Sequence, residues 1–235
     1  MNSISVIYQD NFLIVLDKPR DIHVHPTKLS RGELSLKDIL QRQCRCEIHP
    51  AHRLDRPVGG ILLAAKNTET ARLLGQMMRT HGGVDKRYLC IVRGWMSGSG
   101  RIDRPLRQAS GKPEKESVTL WRSLAQAEAP WPDEQFPSSR YTLLECTLIT
   151  GRHHQIRRHL AFESHPILGD IARGDNTRNR IWKAHTRLEG LMLRAQRLSF
   201  IHPHSGERLS LTAPPDPRFI SAADMFGWER ELVVQ

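Results

Sequence analysis

Short apolar runs bounded by turn residues constrain this chain more than any other feature. FLIVL (12–16) and ILLAA (61–65) fall far short of the ~20 residues a membrane-spanning helix needs. Breakers flank both: Asp10-Asn11 and Lys18-Pro19 around the first, Gly59-Gly60 before the second. Ile4, Val6 and Tyr8 alternate with other residues, as do Phe12, Ile14 and Leu16, so two strands joined by a turn at Asp10-Asn11 are predicted. KRYLCIVRG (86–94), VTLWRSLA (118–125) and RYTLLECTLIT (140–150) read as further strands. LMLRAQRLSFIHP and ERLSLTAP add two more around a His-Pro-His-Ser-Gly turn. Helices are fewer. One is expected over 34–43. A second, capped by Asn67 or Thr68, carries Ala71, Leu73, Leu74, Met77 and Met78 and is stopped by Gly82-Gly83. A third lies in RHHQIRRHLAFES, where Ile156 and Leu160 share one face. Residues 20–33, 97–117 and AEAPWPDEQFPSSR read as loop or linker. Strands outnumber helices and the turns suit hairpins, so the predicted class is α+β with mainly antiparallel pairing.

Charge narrows the partners. The 235 residues carry 35 Lys+Arg against 25 Asp+Glu, a formal net charge of +10. That balance attracts polyanions, nucleic acid first and an acidic membrane surface second. With 39% hydrophobic and 26% charged residues the chain reads as globular rather than disordered. The start, MNSISVIYQD, has neither the basic head nor the apolar stretch of a secretory signal. Four scattered cysteines do not make a disulfide framework, and Cys44-Arg45-Cys46 is not the C-x-x-C of a zinc knuckle. Free thiols in a reducing cytoplasm are expected.

Two segments concentrate chemistry. In AHRLDRPVGG (51–60), Asp55 stands between Arg53 and Arg56. A carboxylate beside a guanidinium keeps its ionised form. Two readings stay open on this segment alone: an ion pair that shapes a loop, or a reactive carboxylate that meets an anionic substrate. In GRHHQIRRHL, Arg152, Arg157 and Arg158 cluster with His153, His154 and His159. The start of a helix favours anions, so the cluster is either an anion pocket or a solvated basic face. No metal is predicted: His153 and His154 are adjacent rather than at ligand spacing, and His23 and His25 have no carboxylate or cysteine in register. With no phosphate loop and no dinucleotide fingerprint, no cofactor is predicted either.

The motifs occur together and in order. HRLDRPVGGILL (52–63), KRYLCIVRG (86–94) and TGRHHQIRRHL (150–160) followed by HPILGD (165–170) resemble the three signatures of RluA-type RNA pseudouridine synthases. YQDNFLIVLDKP and LMLRAQRLSFIHPHSGE are similar to that family's entry and exit hairpins. The resemblance covers nearly the whole chain. It implies the pseudouridine synthase catalytic fold, a mixed, mainly antiparallel central sheet with flanking helices and loops and an active-site cleft across the sheet. It implies one catalytic domain over 1–235, with no separate RNA-binding domain ahead of it. SSRY (138–141), GDIARGDNTRNR (169–180) and MFGWERELV (225–233) are most similar to a branch that acts on uridine 65 of tRNA.

The resemblance also implies roles. Asp55 matches the catalytic aspartate, Tyr88 the tyrosine that packs on the target base, and Arg157 the arginine paired with the aspartate. Arg53 matches the residue that fills the gap left by a flipped base. Arg152, His154 and Gln155 fall among the RNA- and base-binding positions, and Ile156 and Leu168 at positions that wall the pocket. The expected partner is RNA, most nearly tRNA; the protein is expected to act as a cytoplasmic monomer without membrane contact. Three positions depart from the pattern: Gly59 replaces the motif serine, Asp21 replaces the glycine of N-K-P-x-G, and Arg194 replaces the histidine of L-H-A. Two alternatives remain beside this one: a synthase of the same family that modifies ribosomal RNA, and a non-catalytic basic RNA-binding module.

Overall fold

A computed structural model describes residues 3–26, 32–108, 111–133 and 135–233. In chain order its elements are β1 (Ser5–Gln9), β2 (Leu13–Lys18), α1 (Leu36–Cys44), β3 (His49–Pro50), β4 (Gly59–Ala65), α2 (Thr68–Arg79), β5 (Val84–Arg93) and β6 (Ser99–Asp103). There follow β7 (Leu106–Arg107), β8 (Glu114–Lys115), β9 (Val118–Ala129), β10 (Ser139–Leu148), α3 (Gln155–Phe162) and α4 (Asn176–Thr186). The chain closes with β11 (Leu193–Ile201), β12 (Arg208–Thr212), α5 (Pro217–Phe226) and α6 (Glu229–Val233). The class is α+β, as expected. The chain divides into two compact units: Met1–Arg87 with Ala195–Pro214, and Tyr88–Arg194 with Pro215–Gln235. Residues 27–31 of the expected loop at 20–33, residues 109–110 of 97–117, and Glu134 lie outside the described residues.

In the first unit the strands run β1-β2-β4-β11, with β3 on β4 and β12 on β11. The pairs β1–β2, β2–β4, β3–β4 and β11–β12 are antiparallel. The hairpin turns where the sequence predicts it. The Asp10 carboxylate accepts the Phe12 and Leu13 N–H groups at 2.7 and 2.8 Å and the His202 Nε2–H at 2.9 Å. The predicted alternation in the second strand does not occur: Leu13, Ile14, Val15 and Leu16 are all buried. All seven residues of β4 are buried too. Strands covered on both faces read as continuous apolar runs, and period-2 arguments fail there. Gly60 (φ +112°) is required: a Cβ there would lie 2.1 Å from the Ala195 carbonyl oxygen on β11. Ser35 caps α1 in a reciprocal box with Asp38, and Asn67 caps α2.

In the second unit the order is β5-β10-β9-β6, with β7–β8 a separate two-stranded ribbon. β9 and β10 pair antiparallel from Ala129↔Ser139 to Thr119↔Leu148. Residues 97–117, expected to be loop, contain β6, β7 and β8; β6 pairs with β9 from Ser99↔Arg122 to Asp103↔Val118. An edge strand needs little apolar surface, and here only Ile102 is buried, so polar composition hid it. Three helices also escape the sequence reading. α4 is amphipathic only weakly and buries Trp182 and Thr186. α5 begins with an Asp216 cap and Pro217 in the first turn and ends at Gly227 (φ +71°). α6 follows. An aromatic cluster holds these helices: Phe226 lies 5.7 Å from Tyr141, 6.0 Å from Trp182 and 4.9 Å from Trp228, and Trp131 stacks on His185 at 4.6 Å. Cys90 and Cys146 face each other at 3.8 Å as buried thiols.

Candidate active-site residues

Asp55 sits in the first unit on a loop leading into β4, and is half-buried; Arg53 beside it is exposed and Leu54 is buried as an anchor. The loop's shape is set by one ammonium group. Lys18, fully buried at the end of β2, donates from Nζ to the carbonyls of Pro19 (2.9 Å), Arg56 (3.2 Å) and Val58 (2.8 Å). Burial pulls its pKa down to about 8, against the attraction of Asp21 and Asp55. The Val58 N–H closes the turn on the Asp55 carbonyl at 3.0 Å. A second tie comes from Asp21. Its N–H donates to the Arg56 carbonyl at 2.8 Å and its carbonyl accepts the Arg56 Nε–H at 3.1 Å. Asp21 has φ +63°, in the left-handed region where the motif glycine would sit without strain. Aspartate is among the residues that tolerate it best, so the departure at this position keeps the backbone path. Behind the loop, His52 Nε2 accepts the Leu63 N–H at 3.2 Å. Burial, and then Lys86, drive its pKa down to about 3, so the ring is neutral with its proton on Nδ1.

The second unit carries Tyr88, buried in β5, and the arginine helix. The helix starts later than the sequence predicts: Gly151–His153 lie ahead of it, His154 is its left-handed N-cap (φ +54°), and Gln155 is its first residue. Arg157 is buried and gripped side-on, Nε to Asp170 Oδ2 at 2.7 Å and Nη2 to Asp170 Oδ1 at 2.8 Å. Such a fork fixes the guanidinium plane as a single ammonium cannot. Burial works to raise the Asp170 pKa. Arg157 overcomes it, helped by the Arg173 and Ala172 N–H groups, and the net shift is downward. Asp170 is itself placed by HPILGD. His165 Nδ1–H donates to the Arg93 carbonyl (2.9 Å), Leu168 N–H to the Ile91 carbonyl (3.0 Å), and Gly169 (φ +75°) packs where a Cβ would meet the Gly190 carbonyl at 2.0 Å.

A buried polar chain pins the segment before the helix. Gln155 Oε1 accepts from the Thr150 hydroxyl (2.8 Å) and the Arg152 N–H (2.9 Å), while its Nε2 donates to the Val118 carbonyl (2.9 Å) and Thr119 Oγ1 (3.0 Å). The Thr119 hydroxyl then donates to His159 Nδ1 (2.9 Å), and His159 Nε2–H to the Arg104 carbonyl (3.1 Å). That order requires a neutral imidazole. Burial lowers the His159 pKa in the same sense.

The sequence-predicted residues therefore take different places. Ile156 and Leu168 are buried apolar groups. Arg152 lies at the surface edge, its Nε donating to the Glu116 carbonyl at 2.9 Å. His154 stacks on His153 at 3.7 Å. Gln155 has both amide atoms engaged within the unit and braces the loop. Arg194, the third departure, is buried 3.9 Å from Asp216, the cap of α5. Lys18 and Asp170, which grip the Asp55 loop and Arg157, do not stand out in sequence although both lie inside the motifs. Their distant partners, Arg56 and Val58 for Lys18 and Arg157 for Asp170, are set by tertiary structure.

The profile of the RNA pseudouridylate synthase family matches residues 12–162. The chain belongs to that family. tRNA pseudouridine synthase C of Pasteurella multocida (strain Pm70) is 37% identical over 238 residues, 97% of this chain and 98% of that protein. The protein of the same name from Salmonella typhimurium (strain LT2) is 37% identical over 96% of this chain and 90% of its own length. Among solved structures, human RNA pseudouridylate synthase domain containing 4 superposes with a TM-score of 0.68 at 24% identity, covering 94% of this chain and 92% of that one. That likeness shows the fold of the family, as does human RNA pseudouridylate synthase domain containing 1 at a TM-score of 0.66.

Proposed function

We propose that this chain converts the uridine at position 65 of tRNA to pseudouridine, with Asp55 as the catalytic carboxylate. The similarity to tRNA pseudouridine synthase C, end to end in both chains, carries the reading. The reaction breaks the bond between C1′ of ribose and N1 of uracil, turns the base, and joins C1′ to C5. The C5 proton moves to N1, so atoms balance without redox chemistry or a group donor. The stacked base must first leave the helix, at a cost of a few kcal/mol. In this reading Arg53 occupies the vacancy and Tyr88 stacks on the extruded ring. Arg157 supports the carboxylate. Its side-on fork with Asp170 fixes the plane in which the guanidinium can act. Ile156 and Leu168 exclude water, Arg152 and His154 contact RNA, and Gln155 acts by bracing the loop that carries them. The whole chain serves as one catalytic domain, acting as a monomer in the cytoplasm.

The test is Asp55→Asn. It retains tRNA binding and forms no product, read by carbodiimide modification and primer extension. Turnover by that variant, with deamidation excluded by mass spectrometry, removes the role from Asp55. A wild-type protein that modifies ribosomal RNA fragments and leaves tRNA untouched removes the substrate assignment while sparing the chemistry.

A further inference from the structure

The roles above make no use of a rigid, half-exposed aromatic just past the end of β5. Trp95 keeps 46% of its surface exposed, yet every group around it is tied. The Gly94 N–H donates to the Arg140 carbonyl (2.7 Å), the Met96 N–H to Thr142 Oγ1 (3.0 Å), and the Thr142 hydroxyl to the Gly94 carbonyl (2.8 Å). The indole plane is fixed by its own bond, Nε1–H to the Ala127 carbonyl at 3.3 Å. The Arg140 guanidinium lies over the ring, 4.2 Å from its centre, and is steadied by Glu128 at 3.3 Å. Half of the Arg140 side chain is exposed as well. Two other arginines cover exposed phenyl rings, Arg104 on Phe162 and Arg178 on Phe136, but a phenyl ring has no polar atom to lock its plane.

A flat ring with a cationic plane, preset and open to solvent, is the chemistry that receives an unstacked nucleobase and its phosphate. Folding alone has little use for it, since an exposed cation–π pair contributes weakly to stability. Location adds a constraint. From Tyr88 the strand runs five residues to Arg93, roughly 16 Å at the rise of a strand, before the chain bends at Gly94 (φ +81°) and reaches Trp95. A nucleic acid that reaches both must extend well past the reacting nucleotide. We propose that Trp95 and Arg140 form a second RNA contact, which stacks a nucleobase remote from the target uridine and so favours a whole tRNA over a short hairpin. This rests on the reading that the substrate is RNA, and it assigns to the chain a second site of recognition.

The experiment measures Kd for wild-type, Trp95→Ala, Trp95→Phe and Arg140→Ala against two probes: unmodified tRNA transcript, and a hairpin limited to the stem and loop that carry the target uridine. Stacking strength sets the expected loss at about tenfold in tRNA affinity for Trp95→Ala. Trp95→Phe recovers part of it, and Arg140→Ala also lowers the slope of log Kd against log salt by about one. Hairpin binding and the melting temperatures stay at wild-type values. Equal losses on both probes, or none on either, overturn the proposal. Pseudouridine formation is scored in the same samples. A protein that binds tRNA through Trp95 but makes no product from any RNA leaves this contact standing and defeats the proposed function instead.

Discussion

The Asp55 loop and the Arg157 helix solve the same problem by different means. Each must hold one charged side chain still. In the first unit the restraint is applied to the backbone: Lys18 gathers three carbonyls, and Asp21 and Arg56 exchange two further bonds. In the second unit the restraint is applied to the side chain itself, through the buried Arg157–Asp170 fork. The difference follows from local structure. A loop has main-chain groups that need partners. A helix pairs most of its own main-chain groups, so the side chain is what is gripped here. Positioning residues are therefore to be sought among buried cations where a charged residue sits on a loop, and among buried counter-charges where it sits on a helix.

The largest break in this comparison comes from Asp170→Ala. It strands a buried guanidinium, and loss of one partner of a buried pair costs about 3–5 kcal/mol. Urea denaturation checks it; a cost under 1 kcal/mol shows that the fork is not what holds Arg157. Lys18→Met is next. The Pro19 and Val58 carbonyls lose this donor while the Arg56 carbonyl keeps the Asp21 N–H; at about 1–3 kcal/mol for each carbonyl that water cannot reach, a total of about 2 kcal/mol is expected in the same assay. Activity falls further than stability, because the loop rather than the core is released. A variant with normal turnover would detach Lys18 from the positioning of Asp55.

Asp170→Asn sharpens the contrast through pH. The folded Asp170 pKa is below its unfolded value, near 3.9. Its contribution is present in full above that value and is lost as pH falls through the folded pKa. Between pH 6 and pH 2.5 the wild-type urea midpoint should fall more steeply than that of the variant; parallel curves break the assignment. Asp21→Gly is the smallest effect. It relieves left-handed strain but enlarges the freedom of the unfolded chain, for a net gain of about 0.5 kcal/mol. A loss of more than 1 kcal/mol would mean that the aspartate side chain holds the loop in its own right.

Legibility followed locality. Asn67 before its helix, the turn at Asp10-Asn11 and the His-Pro-His-Ser-Gly corner are local signals, and the structure keeps all three. The Asp216-Pro217 start of α5 is an equally local signal. α4 was not legible from period alone, because its Asn, Thr, Arg and Lys residues form no apolar stripe and Trp182 is drawn in by Tyr141 and Phe226. Asp55, Tyr88 and Arg157 come forward only through the resemblance of the motifs that hold them. The grips on the loop and on Arg157 do not, since no rule of sequence says which carbonyls a lysine will reach or which acid will face an arginine.

The hydrogens from Thr150 to the Arg104 carbonyl all run one way, and none can be turned round without disturbing its neighbours. A cell that acidifies by a unit around neutrality would protonate ordinary surface imidazoles. The one at His159, locked as an acceptor toward Thr119, stays as it is, and the loop beneath the proposed catalytic arginine holds its shape through metabolic stress.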